Sequence, residues 1–226
     1  MTYAGSGAWV GGGGTSLTLA ADVTASQNDI LVAFITADVT TWTLPSGWAA
    51  VPSADINTDA DGHRFSAFWK RAGASETNSY AFSGLSATWN EGRIHRVTGC
   101  ITTGDPFDVT SSTHTTAGPT TITATSITTV TDGCTILQGA SSGNGNSGWA
   151  VDNGFTLLDS DGTVNSARGY KEQTTAGAVG TTTWTAPISV TALSAISIAL
   201  KPAGGSNAFM PGTGDPNLSL HNSMAN

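Results

Sequence analysis

DILVAFITADVTTWTLPSGWAAV, residues 29–51, is the stretch whose reading decides the fold. Its apolar run from Ile30 to Ile35 is rich in β-branched and aromatic residues and does not alternate with polar ones. Such a run reads as a strand buried on both faces. After the polar break at Asp38 to Thr41, Trp42 to Leu44 reads as a second, short strand. Pro45-Ser46-Gly47 then makes a turn, because proline fixes φ and glycine accepts positive φ. Trp48 follows at once, placed to plug the end of a sandwich with a large ring.

The rest of the chain agrees with an all-β class. Threonine, alanine and glycine dominate. Lysine and glutamate are scarce, at Lys70, Lys171 and Lys201 and at Glu76, Glu91 and Glu172. Exposed helix faces therefore lack their usual residues, while sheet and turn formers abound. The charged fraction is 11%, against roughly 25% in ordinary domains, so Ser and Thr must supply much of the wet surface. The net charge of −8 and the scattered Arg64, Arg71, Arg93, Arg96 and Arg168 leave no basic stripe for phosphates. Direct nucleic-acid binding is not expected. No uncharged apolar run is long enough to span a bilayer as a helix. The opening MTYAGSGAWVGGGG lacks a basic region followed by an apolar core, so no secretory signal is expected.

Taken in order, residues 1–14 are glycine-rich and uncommitted, and Leu17-Thr18-Leu19 alternates as a strand should. Ser53 to Gly62 reads as a polar loop. In HRFSAFWKR, His63 to Arg71, the residues Phe65, Ala67 and Trp69 recur at period two, the mark of a half-buried strand. Tyr80 and Phe82 alternate next, and Gly92 to Val97 follows with Ile94 and Val97 directed inward. A Gly/Pro/Ser/Thr connection spans Thr102 to Gly118. TTITATSITTV, Thr120 to Val130, is again period two. Asp132-Gly133 signals a hairpin with Cys134 to Gln138 as its return strand. Gly139 to Gly148 reads as a surface loop, and the apolar Leu193 to Leu200 as a central strand.

The second half weakly repeats the first. Gly47-Trp48, Asp61-Gly62, Trp69-Lys70, Phe82 and Ile94 find counterparts in Gly154-Phe155, Asp161-Gly162, Tyr170-Lys171, Trp184 and Ile196. Lys70 to Phe82 is twelve residues and Lys171 to Trp184 thirteen. A period this long excludes a solenoid and points to a sandwich of two similar halves. Residues 1–202 are read as that β-sandwich domain, and 203–226 as an extended C-terminal arm. The arm has no periodicity and too few apolar residues for its own core. Its sizeable apolar side chains, Phe209, Met210, Leu218 and Leu220, are the expected partner-binding residues.

Chemistry-bearing motifs are few. Asn57-x-Asp59-x-Asp61-Gly62 opens like an EF-hand loop, but Phe68 occupies the place of the bidentate Glu, so a solvated turn is expected and no metal. Gly139-Ala-Ser141-Ser-Gly143 spells a nucleophile elbow without the required acid and His downstream; only His221 follows. His63, His95 and His114 are isolated from carboxylates in sequence. Glycan hydrolysis needs paired carboxylates, and none of the three glutamates is paired. Cys100 and Cys134 are expected as buried free thiols, since two cysteines make no disulfide framework. Most of the seven tryptophans suit the core, with Trp89 and Trp149 the expected exposed ones. No cofactor is indicated.

Four segments, Asp29–Ala33, Pro45–Trp48, Trp69–Glu76 and Ala199–Pro202, together resemble a group of β-sandwich proteins from tailed-phage structural modules, over about residues 28–202. The resemblance implies a jelly-roll-like antiparallel sandwich with no catalytic residues. It also implies a virion location after synthesis in the host cytoplasm. The expected function is a non-enzymatic structural protein, decorating the capsid or forming part of a tail appendage. Its expected partners are other virion subunits and further copies of itself, docked through the termini. The alternative is a carbohydrate- or receptor-binding module of a tail fibre, with a glycan as partner.

Overall fold

The computed structural model describes residues 1–38, 41–58, 63–86, 88–117, 120–142, 148–159, 165–188 and 192–204. No helix occurs among them. The first half contributes β1 (Thr2–Ser6), β2 (Val10–Gly12), β3 (Ser16–Leu19), β4 (Ile30–Asp38), β5 (Ala49–Thr58), β6 (His63–Arg71), β7 (Tyr80–Ser83) and β8 (Asn90–Thr98). The second contributes β9 (Ser112–Ala117), β10 (Thr121–Ala124), β11 (Thr128–Thr129), β12 (Cys134–Ser142), β13 (Ala150–Val151), β14 (Thr156–Asp159), β15 (Ser166–Gln173), β16 (Gly177–Ala178), β17 (Thr182–Thr185) and β18 (Ala192–Leu200). Every pairing between them is antiparallel.

The two halves have the same topology. The large sheet of the first half runs β1-β8-β4-β6-β5, and that of the second runs β9-β18-β12-β15-β14. Each has its own small covering sheet, β3-β7 in one and β10-β17-β13 in the other, with the β11-β16 pair beside the latter. Among the described residues no strand passes from one half into a sheet of the other. The weak sequence repeat therefore marks a duplicated fold. Trp69-Lys70 and Tyr170-Lys171 lie on β6 and β15, while Phe82 and Trp184 lie on β7 and β17. Register corrects the last match. Lys70 pairs with Leu31 and Lys171 with Ile136, so the residue equivalent to Ile94 (opposite Ala33) is Ser197 (opposite Gln138), one place beyond Ile196.

Two large sheets face each other in the middle of a four-layer stack. Ile30, Val32, Phe34, Phe65 and Val97 of one sheet share a core with Leu137, Ile196, Ile198 and Leu200 of the other. On its opposite face the first sheet buries Leu31, Ala33, Ile35, Phe68 and Ile94 under Leu17, Leu19, Tyr80 and Phe82 of the small sheet. The second sheet likewise buries Ala140, Ala167, Leu193 and Ala195 under Ile122 and Trp184. This is why β4 and β18 are apolar without alternation: both of their faces are interior. For the same reason HRFSAFWKR is not half-buried, since Phe65 and Ala67 serve the central core and Phe68 the outer one. Trp48 closes the end of its sandwich as expected, set edge-on to Tyr80 and Phe82 at 5.1 Å.

Other expectations need correction. Trp42 to Leu44 is no strand; only Thr43 bridges, to Ser83. The segment taken as a loop from Ser53 is strand to Thr58, bulged between Ala50 and Asp55. Residues 1–14 form the edge strands β1 and β2 on β8. There Gly7 comes so close to the chain that a Cβ would stand 1.8 Å from the Ala20 carbonyl oxygen. The period-two run from Thr120 breaks into β10 and β11. Asp132-Gly133 is a turn, with Gly133 at φ 75°, but not the expected hairpin: β11 pairs with β16, and β12 lies between β15 and β18. A two-residue strand cannot compete with the full-length ladders on either side. Gly139 to Ser142 belongs to buried β12 and is not surface loop.

The halves meet through a pseudo-two-fold relation. By register Thr36 of β4 is equivalent to Ser141 of β12, and their hydroxyls hydrogen-bond to each other at 2.9 Å in the interior. Phe34 is equivalent to Gly139, and a Cβ at Gly139 would lie 3.0 Å from Phe34 Cδ1 and 2.7 Å from Phe65 Cζ. Beyond the ends of β8 and β18 the Ala203 N–H donates to the Gly99 carbonyl at 2.8 Å, and Cys100 bridges Pro202. A methyl group has no room at Gly139, and overpacking a dense core costs about 1–3 kcal/mol. Gly139→Ala is expected to destabilise the fold by that amount in denaturant unfolding, with an unchanged m-value.

Candidate functional site

Both ends of the described chain reach one end of the stack. β1 runs out to Met1 along β8, and β18 ends at Leu200, after which Lys201 N–H donates to the Pro106 carbonyl at 2.9 Å. Tyr3 fixes the N-terminal strand. Its ring stacks on Tyr170 of β15 at 4.3 Å, and its hydroxyl shares a hydrogen bond of 3.2 Å with His95 Nδ1. Its backbone N–H donates to Glu172 Oε1 at 3.1 Å, while Thr135 Oγ1 donates to Oε2 of the same carboxylate. Beside these anchors lies a cleft of about 470 Å³. Met1, Asp132, Cys134, Glu172 and Pro202 are among its walls, and Gly204, the last described residue, stands on its rim. The chain thus continues into residues 205–226 from the edge of this cleft.

Cys134 and Cys100 are both buried and both free. Burial pushes each thiol up to about 12, so neither is a nucleophile at neutral pH. The free-thiol expectation holds, and no disulfide staples the ends.

The polar groups of the interior are sealed between the sheets. Glu91 of β8 is fully buried. It accepts from Ser166 Oγ, from the Asn165 N–H at 3.1 Å and from Trp9 Nε1 at 3.1 Å. Arg168 is also fully buried and donates from Nη2 to the Phe34 carbonyl at 3.3 Å. Burial, with the Arg168 and Arg93 charges nearby, holds the His95 imidazole well below its usual range and therefore neutral. Among the remaining glutamates, Glu76 forms an ion pair of 2.6 Å with Lys70. No two of the three are brought together around a cleft. Sequence reasoning missed the Glu91–Arg168 seam, because its members lie 77 residues apart (168 − 91) on different sheets.

The sequence motifs resolve as follows. Ser141 of the elbow pattern is buried in β12 against Thr36, with Gly143 outside the described residues. Asn57 lies in β5, whereas Asp59, Asp61 and Gly62 are outside the described residues. Among the described residues no three His, Cys, Asp or Glu side chains gather as metal ligands. His114 is exposed on β9, apart from the buried His95. Trp149 is not exposed: it is 3% accessible and packs with Trp184 in the second half's core. Trp89 is half-buried. Phe209, Met210, Leu218 and Leu220 lie outside the described residues.

Comparison of the chain with protein families, with curated proteins and with solved structures finds no match.

His95 sets a pH dependence. Its imidazole titrates near 6.5 when unfolded and lower when folded, so below about pH 6.5 the unfolded chain binds a proton that the folded chain refuses. Stability is then lost as pH falls, and retained above that range. Guanidinium midpoints should decline from pH 7 to pH 5, and His95→Gln, which leaves Tyr3 a polar partner, should flatten that decline. An equal slope in the variant would assign it to other groups.

Proposed function

We propose that this chain is a non-enzymatic structural protein of a tailed-phage virion, a capsid decoration or part of a tail appendage, docked through its terminal end. The observation that carries the reading is the convergence of both described chain ends beside one open cleft. The sequence resemblance over residues 28–202 supports the virion setting. Glu91 is sealed in the interior, Glu76 is ion-paired to Lys70, and Glu172 accepts from the Tyr3 N–H and the Thr135 hydroxyl, which supports a role without catalysis. The aromatic rings are largely spent on the cores, which weighs against a sugar platform.

In this reading residues 203–226 lace the subunit to a neighbour through Phe209, Met210, Leu218 and Leu220. Burying such side chains contributes about 1.5–3 kcal/mol each, and ordering the backbone costs roughly 1–2 kcal/mol per residue. One arm alone is weak, so stable attachment comes from many copies acting together. A chain ending at Gly204 keeps the Ala203–Gly99 hydrogen bond and is expected to melt within a few degrees of the full chain. It should also fail to co-sediment with particles that the full chain decorates. Normal incorporation of the shortened chain would move the docking surface onto the sandwich.

A further inference from the structure

We infer that the two halves are autonomous sandwiches whose facing sheets form a selective docking surface. The partner each face fits is the other half, from the same chain or from a second copy. Each half closes a core of its own, and no described strand is shared between their sheets. What joins them covalently is the segment after Gly99, whose Thr102 to Asp105 stretch is exposed. Among the described residues the rest of the junction is the face-to-face contact between the large sheets, with the Ala203–Gly99 and Tyr3–Glu172 hydrogen bonds at its terminal end.

Duplicated sheets of this kind would be expected to pair with themselves, as in an ordinary two-fold dimer. Register shows what prevents it. Ser166 pairs with Ser141, and Phe65 with Thr36, so Ser166 is the counterpart of Phe65. By the same ladders Arg168 is the counterpart of Ala67 and Gly139 of Phe34. Two first halves face to face would set Phe34 against Phe34 and aim Glu91 at Phe65, leaving a buried carboxylate without the Ser166 hydroxyl and the Asn165 N–H that the other half now supplies. Two second halves would set Gly139 against Gly139, leaving a gap where the Phe34 and Phe65 rings now lie. The mixed pair alone fills the notch, with Phe34 and Phe65 over Gly139, and brings Ser166 and the Asn165 N–H to Glu91. Specificity here comes as much from the penalties on the wrong pairs as from the right contacts.

The test inserts a site-specific protease sequence between Thr103 and Gly104 of the full chain. The cleaved protein is expected to elute as one 1:1 species of unchanged size. Isotopically heavy and light cleaved samples, unfolded together in urea and refolded, should give light–heavy mixtures of first with second half in native mass spectrometry. Pairs of two first or two second halves should be absent. Gly139→Leu in the cleaved protein should raise the dissociation constant at least tenfold. Tryptophan fluorescence of each separated half (Trp48 in one, Trp184 in the other) should remain that of a folded core. Homotypic pairs would overturn the selectivity, and unfolded or aggregated halves after refolding would overturn the autonomy.

Discussion

The contact of β4 with β12 is the constraint on which the rest of the structure depends. Phe34 lies over a glycine and Thr36 meets its own counterpart, so side chains of the two central strands interlock across the gap. Once that happens, each large sheet has lost one face to the other and the opposite face to its small covering sheet. Antiparallel sheets commonly keep one face wet; here the central strands β4, β12 and β18 keep none. The apolar run of β4, the fully buried β12 and the small residues of β18 all follow. So does the need for glycine at Gly139, since a side chain there would meet the Phe34 and Phe65 rings of the facing sheet.

Burying charge at such a contact is expensive unless each group is met. Glu91 takes three donors, and Arg168 reaches a backbone carbonyl across the gap. These groups add direction to an otherwise apolar contact. A hydrophobic face tolerates several registers, whereas a carboxylate that needs Ser166 and the Asn165 N–H tolerates one. Duplication also shows where the two copies solved one problem differently. Lys70 and Lys171 occupy equivalent positions. The first pairs with Glu76 and lies over Tyr80; the second reaches Asn153 Oδ1 and the Val179 carbonyl and lies over Phe155. A lysine at this place is compatible with either a charged or a neutral partner.

Much of this was legible in the sequence, and the boundary is physical. Element type was carried by short-range pattern: the unbroken Ile30 to Ile35, the alternation of Tyr80 and Phe82, the turn at Pro45 to Gly47. The duplication was carried by aromatic–lysine pairs, because those residues plug equivalent positions. Pairing partners were less legible. Asp132-Gly133 has hairpin chemistry, yet Cys134 to Ser142 found longer partners from distant parts of the chain. Trp149 has polar and glycine neighbours in sequence, but just before β13 it enters the second half's core beside Trp184. The Glu91–Arg168 seam depends on two sheets meeting, and no local spacing encodes that.

The low charge of the chain is itself a consequence of the layering. With the central strands β4, β12 and β18 interior on both faces, the strands that meet water broadly are edge strands such as β5 and β9 and those of the small sheets. There the outward residues are Ser16, Thr18 and Ala81 on one side, and Thr121, Thr123 and Thr185 on the other. Thr121 sits directly opposite Thr185, and Thr123 opposite Thr183, so β-branched hydroxyl residues pair across strands. Such residues favour the strand and still hydrate, which a row of lysines or glutamates on so short a sheet would do at the cost of mutual repulsion. Low charge and abundant threonine therefore need no special environment to explain them. They are what a stack with buried central strands leaves for its small outer sheets and its exposed edge strands.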